Sequence, residues 1–330
     1  MLTPTAPIAI VVPAPPAERG RTTGLALAVV SALAFASSGP VVKPLLEAGW
    51  SLGAALVIRM AIAGLVLSPA LVRALRRERG FLRRHGRTIL VFGLTGVAGC
   101  QLLFFAAMQR MPVAVALLIQ YLAPVLLVVH AWARTRRRPS RLVSAGSLVA
   151  LVGLVLVVDI AGARFDLWGT ILALGAAVCV GVYFLVAERA SDDLPPLALA
   201  SGGLMAGAIT IALLIAAGVL PFAAPGVVIS LGSFEVPGLV AILWVAAGAT
   251  TIGYGLGVSA VPRIGSRVAS FVGLSEVLFA LGYAWLLLGE RPAPVQLVGG
   301  VLILVGVVLV RADTAAPAPS RRPEAFAEIR

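Results

Sequence analysis

Between residues 24 and 311 the chain runs through ten apolar segments, each about 17 to 25 residues, the length that crosses roughly 30 Å of hydrocarbon. They cover approximately 24–45, 51–72, 88–108, 112–133, 141–159, 167–187, 197–220, 237–260, 264–288 and 293–311. In lipid every backbone polar group must be satisfied internally, so runs of this length fold as helices. With 60% hydrophobic and only 12% charged residues, against about 25% charged in a soluble domain, no sizeable soluble domain fits. The fold class expected is an all-α polytopic membrane protein. Residues 1–22 and 312–330 are Pro/Ala-rich and expected to be disordered cytoplasmic tails. The apolar piece Ile8 to Val12 is too short for a signal-peptide core.

The net charge of +12 does not point to nucleic acid, because the basic residues fall in short connections between apolar runs. With the N-terminus inside, the inner connections and tails hold 21 of the 26 basic residues, including seven arginines between Arg73 and Arg87. The outer side holds Lys43, Arg110, Arg164 and Arg291, and Arg59 lies within a span. The positive-inside rule then puts both termini in the cytoplasm, in a multi-pass protein of the cytoplasmic (inner) membrane. The Arg73–Arg87 loop is expected to meet anionic lipid headgroups. His85 in that loop is expected to be solvated. Cys100 and Cys179 both lie inside apolar runs, so neither a disulfide nor a metal site is expected, and no cofactor is implied.

Residues 103–157 laid over 256–310, a shift of 153 without gaps, superpose the third to fifth spans on the eighth to tenth. The informative matches are Arg110 with Arg263, Trp132 with Trp285, Arg138-Pro139 with Arg291-Pro292, Gly146 with Gly299, and Gly153 with Gly306. Gln101 falls on Tyr254. Five spans per repeat place the halves in opposite topology, a signature of secondary transporters whose substrate site lies near the midplane between halves. The expected boundaries are 23–160 for the first five-helix repeat and 161–311 for the second.

The second half resembles the EamA domain of the drug/metabolite transporter superfamily. The resemblance rests on Gly248-Ala249-Thr250-Thr251 with Tyr254, on Arg263-Ile264-Gly265 and Ala269-Ser270, and on the Leu288-Gly289-Glu290-Arg291-Pro292 turn. Gln296-Leu297-Val298-Gly299 and Gly306 continue it. The first half is similar in Gly39-Pro40, Lys43, Arg59, Pro112-Val113-Ala114 and Pro124. Two positions depart from the pattern. Val277 stands where the family often has proline, and Arg136-Arg137-Arg138-Pro139 replaces the first-half copy of the turn. The resemblance implies a ten-helix carrier, most often an exporter of amino acids or related small metabolites. A multidrug or nucleobase-type exporter of the same fold is the alternative.

Two charges lie at membrane depth, Glu276 in the ninth span and Arg59 in the second. Such residues are costly there and mark substrate or proton pathways. A buried charge needs a partner, so the two are expected to pair, binding a zwitterionic or charged substrate, with Glu276 taking up a proton during exchange as the variant, or else merely locking the halves together. The repeat puts Ala123 opposite Glu276, so the acid breaks the internal symmetry. Gln101, Gln120, Tyr183, Tyr254, Ser38 and Thr251 complete the candidate lining, with Tyr121, Ser37 and Thr250 beside them. Pro40 and Pro124 are expected to kink their spans. No phosphate-binding Gly-Lys-Thr/Ser loop is present, and no His-Glu-x-x-His or Gly-x-Ser-x-Gly motif supports an enzyme. A channel is disfavoured because one chain already carries a complete two-fold. The expected partners are a small-molecule substrate and the bilayer, with the protein monomeric or dimeric.

Overall fold

The computed structural model describes residues 18–108, 110, 116, 119–136, 138–158, 166–190, 193–288 and 293–315. The Gly289–Pro292 turn, Pro112-Val113-Ala114, and most of both expected tails lie outside them.

The first span comprises α1 (Glu18–Ala36) and α2 (Ser38–Glu47), and the second is α3 (Leu52–Arg77). The third joins α4 (Phe81–Val91), a π-helical stretch (Phe92–Gly99) and α5 (Cys100–Met108). In the fourth, α6 (Ala123–Thr135) follows helical residues at 119–120. Then come α7 (Arg141–Val158), α8 (Leu167–Ala187) and α9 (Pro196–Ala216). The eighth span joins α10 (Gly238–Leu243), a second π-helical stretch (Trp244–Ile252) and α11 (Gly253–Ile264). The ninth is α12 (Ser266–Gly273) with α13 (Ser275–Leu288), and the tenth is α14 (Pro294–Ala315). Among the described residues seven helical stretches of 21 to 28 residues are long and apolar enough to cross a membrane, and Arg141–Leu156 and Pro294–Val310 are shorter apolar helices. Their outer faces carry unpartnered apolar side chains such as Leu65, Leu148 and Leu213, as a helix surface facing lipid tails does. The protein is an all-α polytopic membrane protein in its spans.

One addition lies outside the spans. Strands β1 (Val228–Leu231) and β2 (Phe234–Pro237) form an antiparallel hairpin between the seventh and eighth spans, with Val228 opposite Pro237 and Leu231 opposite Phe234. Gly232 opens its two-residue turn at φ 62°, the left-handed conformation that tight hairpins require. The segment before it is fastened to the turn between the first two spans. The Ser51 N–H donates to the Ala223 carbonyl and the Ala223 N–H donates to the Ser51 hydroxyl, each at 2.8 Å, and the Trp50 indole donates to the Pro225 carbonyl at 3.0 Å.

The halves interleave rather than standing as separate lobes. The first span packs on the eighth and the third on the sixth; the second packs on the seventh, and the fifth on the tenth. Each of these pairings is its own counterpart, or the counterpart of another, when the halves are exchanged. The π stretches also obey the 153-residue shift, which carries Phe92–Gly99 onto 245–252, inside Trp244–Ile252. π turns inside α-helices cluster at functional sites.

Candidate functional site

Three spans are interrupted near mid-length, each for a local reason. In the first, Pro40 has no N–H to give the Ala36 carbonyl, and the helix breaks at Ser37, whose hydroxyl donates to the Ala34 carbonyl at 2.7 Å. In the fourth, Pro124 leaves the Gln120 carbonyl without its helical donor, and turn residues Tyr121 and Leu122 precede α6. The ninth breaks at Leu274, although Val277 replaces the proline. Here the Ser275 hydroxyl donates to the Val272 carbonyl at 2.6 Å, and the Val277 N–H bonds back to Leu274. Such local bonding competes with the helix ladder. The 153-residue shift carries Tyr121 onto Leu274, so the breaks in the fourth and ninth spans are counterparts. Interrupted helices at corresponding positions in two inverted halves are a pointer to a carrier's binding site.

Arg59, on α3, is only 7% exposed. Its guanidinium donates one long hydrogen bond, 3.4 Å to the Ser38 hydroxyl at the break in the first span. Its Nε is buried without a partner. A guanidinium offers five N–H donors in a planar fork, so this cation is under-satisfied. Glu276 sits in the first turn of α13, just past the break in the ninth span, where a helix N-terminus favours negative charge. It is part-exposed. The expected ion pair between Arg59 and Glu276 does not form: no nitrogen of one comes within 4.0 Å of an oxygen of the other. They are near enough to attract across a gap. The Tyr121 hydroxyl is a polar neighbour of the Glu276 carboxylate, without a hydrogen bond of 3.5 Å or less between them.

Aromatic rings form the rest of the centre. Tyr254 stands edge-on to Phe35 at 5.0 Å and to Tyr183 at 5.9 Å, and Tyr183 packs on Phe92 at 5.3 Å. The Tyr254 hydroxyl donates to the Gly96 carbonyl of the first π stretch at 3.3 Å, and Gln101 approaches the same hydroxyl. A Cβ on Gly257 would stand 2.7 Å from the Tyr183 hydroxyl and 2.8 Å from the Ser31 hydroxyl. Only glycine lets these two side chains lie against the eighth helix.

Of the eight candidates, Arg59, Glu276, Ser38, Tyr183, Tyr254 and Gln101 therefore share one centre. Thr251 is turned to its own helix. Its hydroxyl bonds the Ala246 carbonyl at 2.8 Å, as Thr250 bonds Val245 at 2.7 Å, five residues back in the π stretch. Gln120 is half-buried and, among the described residues, hydrogen-bonds none of the cluster. Ser31 is the addition, and Tyr121 already stood beside the candidate lining in the sequence. His85 corrects another expectation: its Nε2 is buried without a partner and its ring packs on Phe81 at 5.0 Å. Two surface grooves, of about 310 and 280 Å³, are lined by Pro69, Val72, Arg73 and Arg76 and by apolar residues around Leu102 and Leu220. Neither includes a residue of this centre.

Comparison with known proteins places the chain among transporters. The model of the EamA-like transporter family matches residues 22–159 and again 167–312. A probable terminal-alkyne amino-acid exporter of Streptantibioticus cattleyicolor is 28% identical over 289 residues, 87% of this chain and 92% of that one. The threonine/homoserine exporter RhtA of Escherichia coli K12 is 27% identical over 222 residues, 66% of this chain and 68% of that one. A crystal structure superposes with a TM-score of 0.69 at 20% identity, over 90% of this chain and 100% of the other, a likeness of fold alone. These relatives are transporters rather than enzymes. With both halves matched by the same model, the chain belongs to the EamA-like transporter family.

Proposed function

We propose that this transporter exports amino acids or closely related zwitterions across the cytoplasmic membrane by alternating access, with both termini in the cytoplasm. The carrying observation is the pair of separated opposite charges. Arg59 is buried with an idle Nε, and it forms no ion pair with Glu276. A substrate carboxylate satisfies the first, a substrate ammonium the second, and the tyrosine rings give the apolar wall that a small-molecule site needs. The repeats, taken as 23–160 and 161–311, rock about this centre, driven by a proton gradient or by the substrate's own gradient. The names of the amino-acid exporters above support the substrate class.

The test is metabolite profiling of spent medium from cells making wild-type protein, Glu276→Gln or Arg59→Gln at equal membrane abundance. The wild type enriches one amino-acid class outside, and both variants lose that enrichment. Wild-type enrichment by either variant rejects the reading.

A further inference from the structure

The first and ninth spans both restart after a break, but their new helices begin differently. In the ninth, α13 carries its own acid in the first turn, Glu276. In the first, α2 has no acid there, and it packs against α13 and the second π stretch. A helix N-terminus concentrates about half a positive elementary charge on N–H groups that lack an intrahelical acceptor.

A serine stands at the cap position of α2, the residue type that normally closes such an end. It does not close this one. Ser37 sits at φ −69°, ψ −18°, helical rather than extended. Its hydroxyl donates to the Ala34 carbonyl at 2.7 Å and accepts the Trp244 indole N–H at 3.3 Å. Ser51, extended at φ −81°, ψ 152°, does cap α3, accepting from the Ala54 N–H at 3.2 Å. Pro40 has no N–H, so this end of α2 presents those of Ser38 and Gly39, with no capping side chain. Side chains on a helix lean toward its N-terminus, yet Gly39 has none. It is exposed, and a Cβ built there would meet nothing within 4 Å. The approach to these N–H groups is open.

A second positive group reaches the same place. Arg59 is only 7% exposed, donates to the Ser38 hydroxyl at 3.4 Å and has a buried Nε without a partner. Among the described residues no carboxylate oxygen lies within 4.0 Å of its guanidinium. A full charge and a helix end of the same sign, side by side at membrane depth, call for an anion.

We infer that the N-terminus of α2 and Arg59 form one carboxylate-binding site, in which the Ser38 and Gly39 N–H groups and the guanidinium together hold the carboxylate of the transported molecule. The inference rests on the two-charge reading above and deepens it: a broken helix, as well as the arginine, reads the acid end of the substrate. Half-helix N-termini of discontinuous carrier helices point at anionic substrate groups in this way.

The experiment uses the full-length chain in detergent and in liposomes, comparing wild type, Gly39→Val, Ser38→Asp and Arg59→Gln. The probes are an equimolar L-amino-acid mixture, the matching L-amino-acid amides, and sodium acetate against equal sodium chloride. Without ligand, Ser38→Asp melts about 2 °C or more above wild type, because its carboxylate takes the substrate's place beside Arg59 and the helix end. A carboxylate buried there without such partners would lower the midpoint, and that result overturns the inference. Gly39→Val melts within about 2 °C of wild type, since its side chain has room. The amino acids raise the wild-type midpoint by about 2 °C or more, and the amides, which lack the carboxylate, do not. An equal rise with the amides overturns the inference. In counterflow of the ¹⁴C-labelled amino-acid mixture, Gly39→Val raises the half-saturating concentration about tenfold, the worth of one hydrogen bond to a charged group. Its maximal rate stays within about twofold of wild type. Wild-type half-saturation in Gly39→Val with loss of transport in Arg59→Gln rejects the helix end and leaves the two-charge site standing. Where Gly39→Val is not recovered folded, the sign of the Ser38→Asp shift decides alone. If no amino acid acts on the wild type, the substrate class falls and acetate decides the site. A midpoint in acetate above that in chloride, lost in Gly39→Val, upholds it, and the absence of that rise overturns it.

Discussion

Gly146 and Gly306 meet backbone to backbone: a Cβ on Gly146 would stand 2.8 Å from the Gly306 carbonyl oxygen, and one on Gly306 would stand 2.6 Å from that of Gly146. Gly153 approaches the Gly299 carbonyl in the same way, at 2.5 Å. Since the internal shift pairs Gly146 with Gly299 and Gly153 with Gly306, each contact runs from one glycine to the counterpart of the other. That is how two copies of one helix meet across a two-fold axis. Small residues here let the backbones of the fifth and tenth spans approach closely.

Leucine at Gly146 or Gly306 should destabilise the protein by about 1 to 3 kcal/mol, the usual range for overpacking. Melting in detergent should drop for both variants but not for Gly282→Ala, whose added Cβ would meet nothing within 4 Å. Unchanged melting of Gly306→Leu would show that the two helices are free to separate.

Arg59→Lys should fail to replace arginine. A lysine keeps the charge but presents a point ammonium rather than a planar fork, so carboxylate recognition is lost along with the contact to Ser38. Export should fall at least about tenfold, the equivalent of one charge-assisted hydrogen bond, with membrane abundance unchanged. Full export by Arg59→Lys would reduce the residue to a bare charge.

Tyr254→Phe removes the donor to the Gly96 carbonyl while leaving every ring contact. Its expected cost is about 1 kcal/mol in stability. Thr251→Val should cost a similar amount, since it strips the hydroxyl from the Ala246 carbonyl in the second π stretch. Thr251→Val should nevertheless keep the wild-type half-saturating substrate concentration, because its hydroxyl points into its own helix. A changed half-saturation for Thr251→Val, measured by counterflow, would place that hydroxyl in the substrate path.

Gly232→Val forces a β-branched residue into φ 62°, where an L side chain is strained by roughly 1 to 2 kcal/mol. The hairpin should loosen, and limited proteolysis of the protein in detergent should then cut between residues 217 and 237 faster than in wild type. An unchanged digestion rate would contradict a tightly folded hairpin.

The spans were legible because length and hydropathy decide what a bilayer accepts, and the repeat was legible because Arg, Trp and Pro are scarce enough for matches to carry weight. Glu276 and Arg59 stood out for the same reason. Their failure to pair was not legible: it depends on where two helices far apart in the chain set their side chains, and a pattern of apolar residues contains no such distance. Thr251 misled because a threonine in a membrane helix reads as lining, whereas a π turn leaves carbonyls that its hydroxyl reaches locally. The break at Leu274 was hidden too, since Ser275 achieves with a side-chain hydrogen bond what proline achieves by lacking an N–H. The hairpin had a signal in Leu231-Gly232-Ser233-Phe234, obscured by the surrounding apolar residues.

Ala123 stands where the second half has Glu276. In a carrier built of two identical inverted halves, the inward-facing and outward-facing states would be related by the two-fold axis in the membrane plane and equal in free energy, so the empty protein would divide evenly between them. A single acid on one side of that axis removes the degeneracy. With that degeneracy gone, nothing requires the two states of an empty carrier of this build to be equally populated.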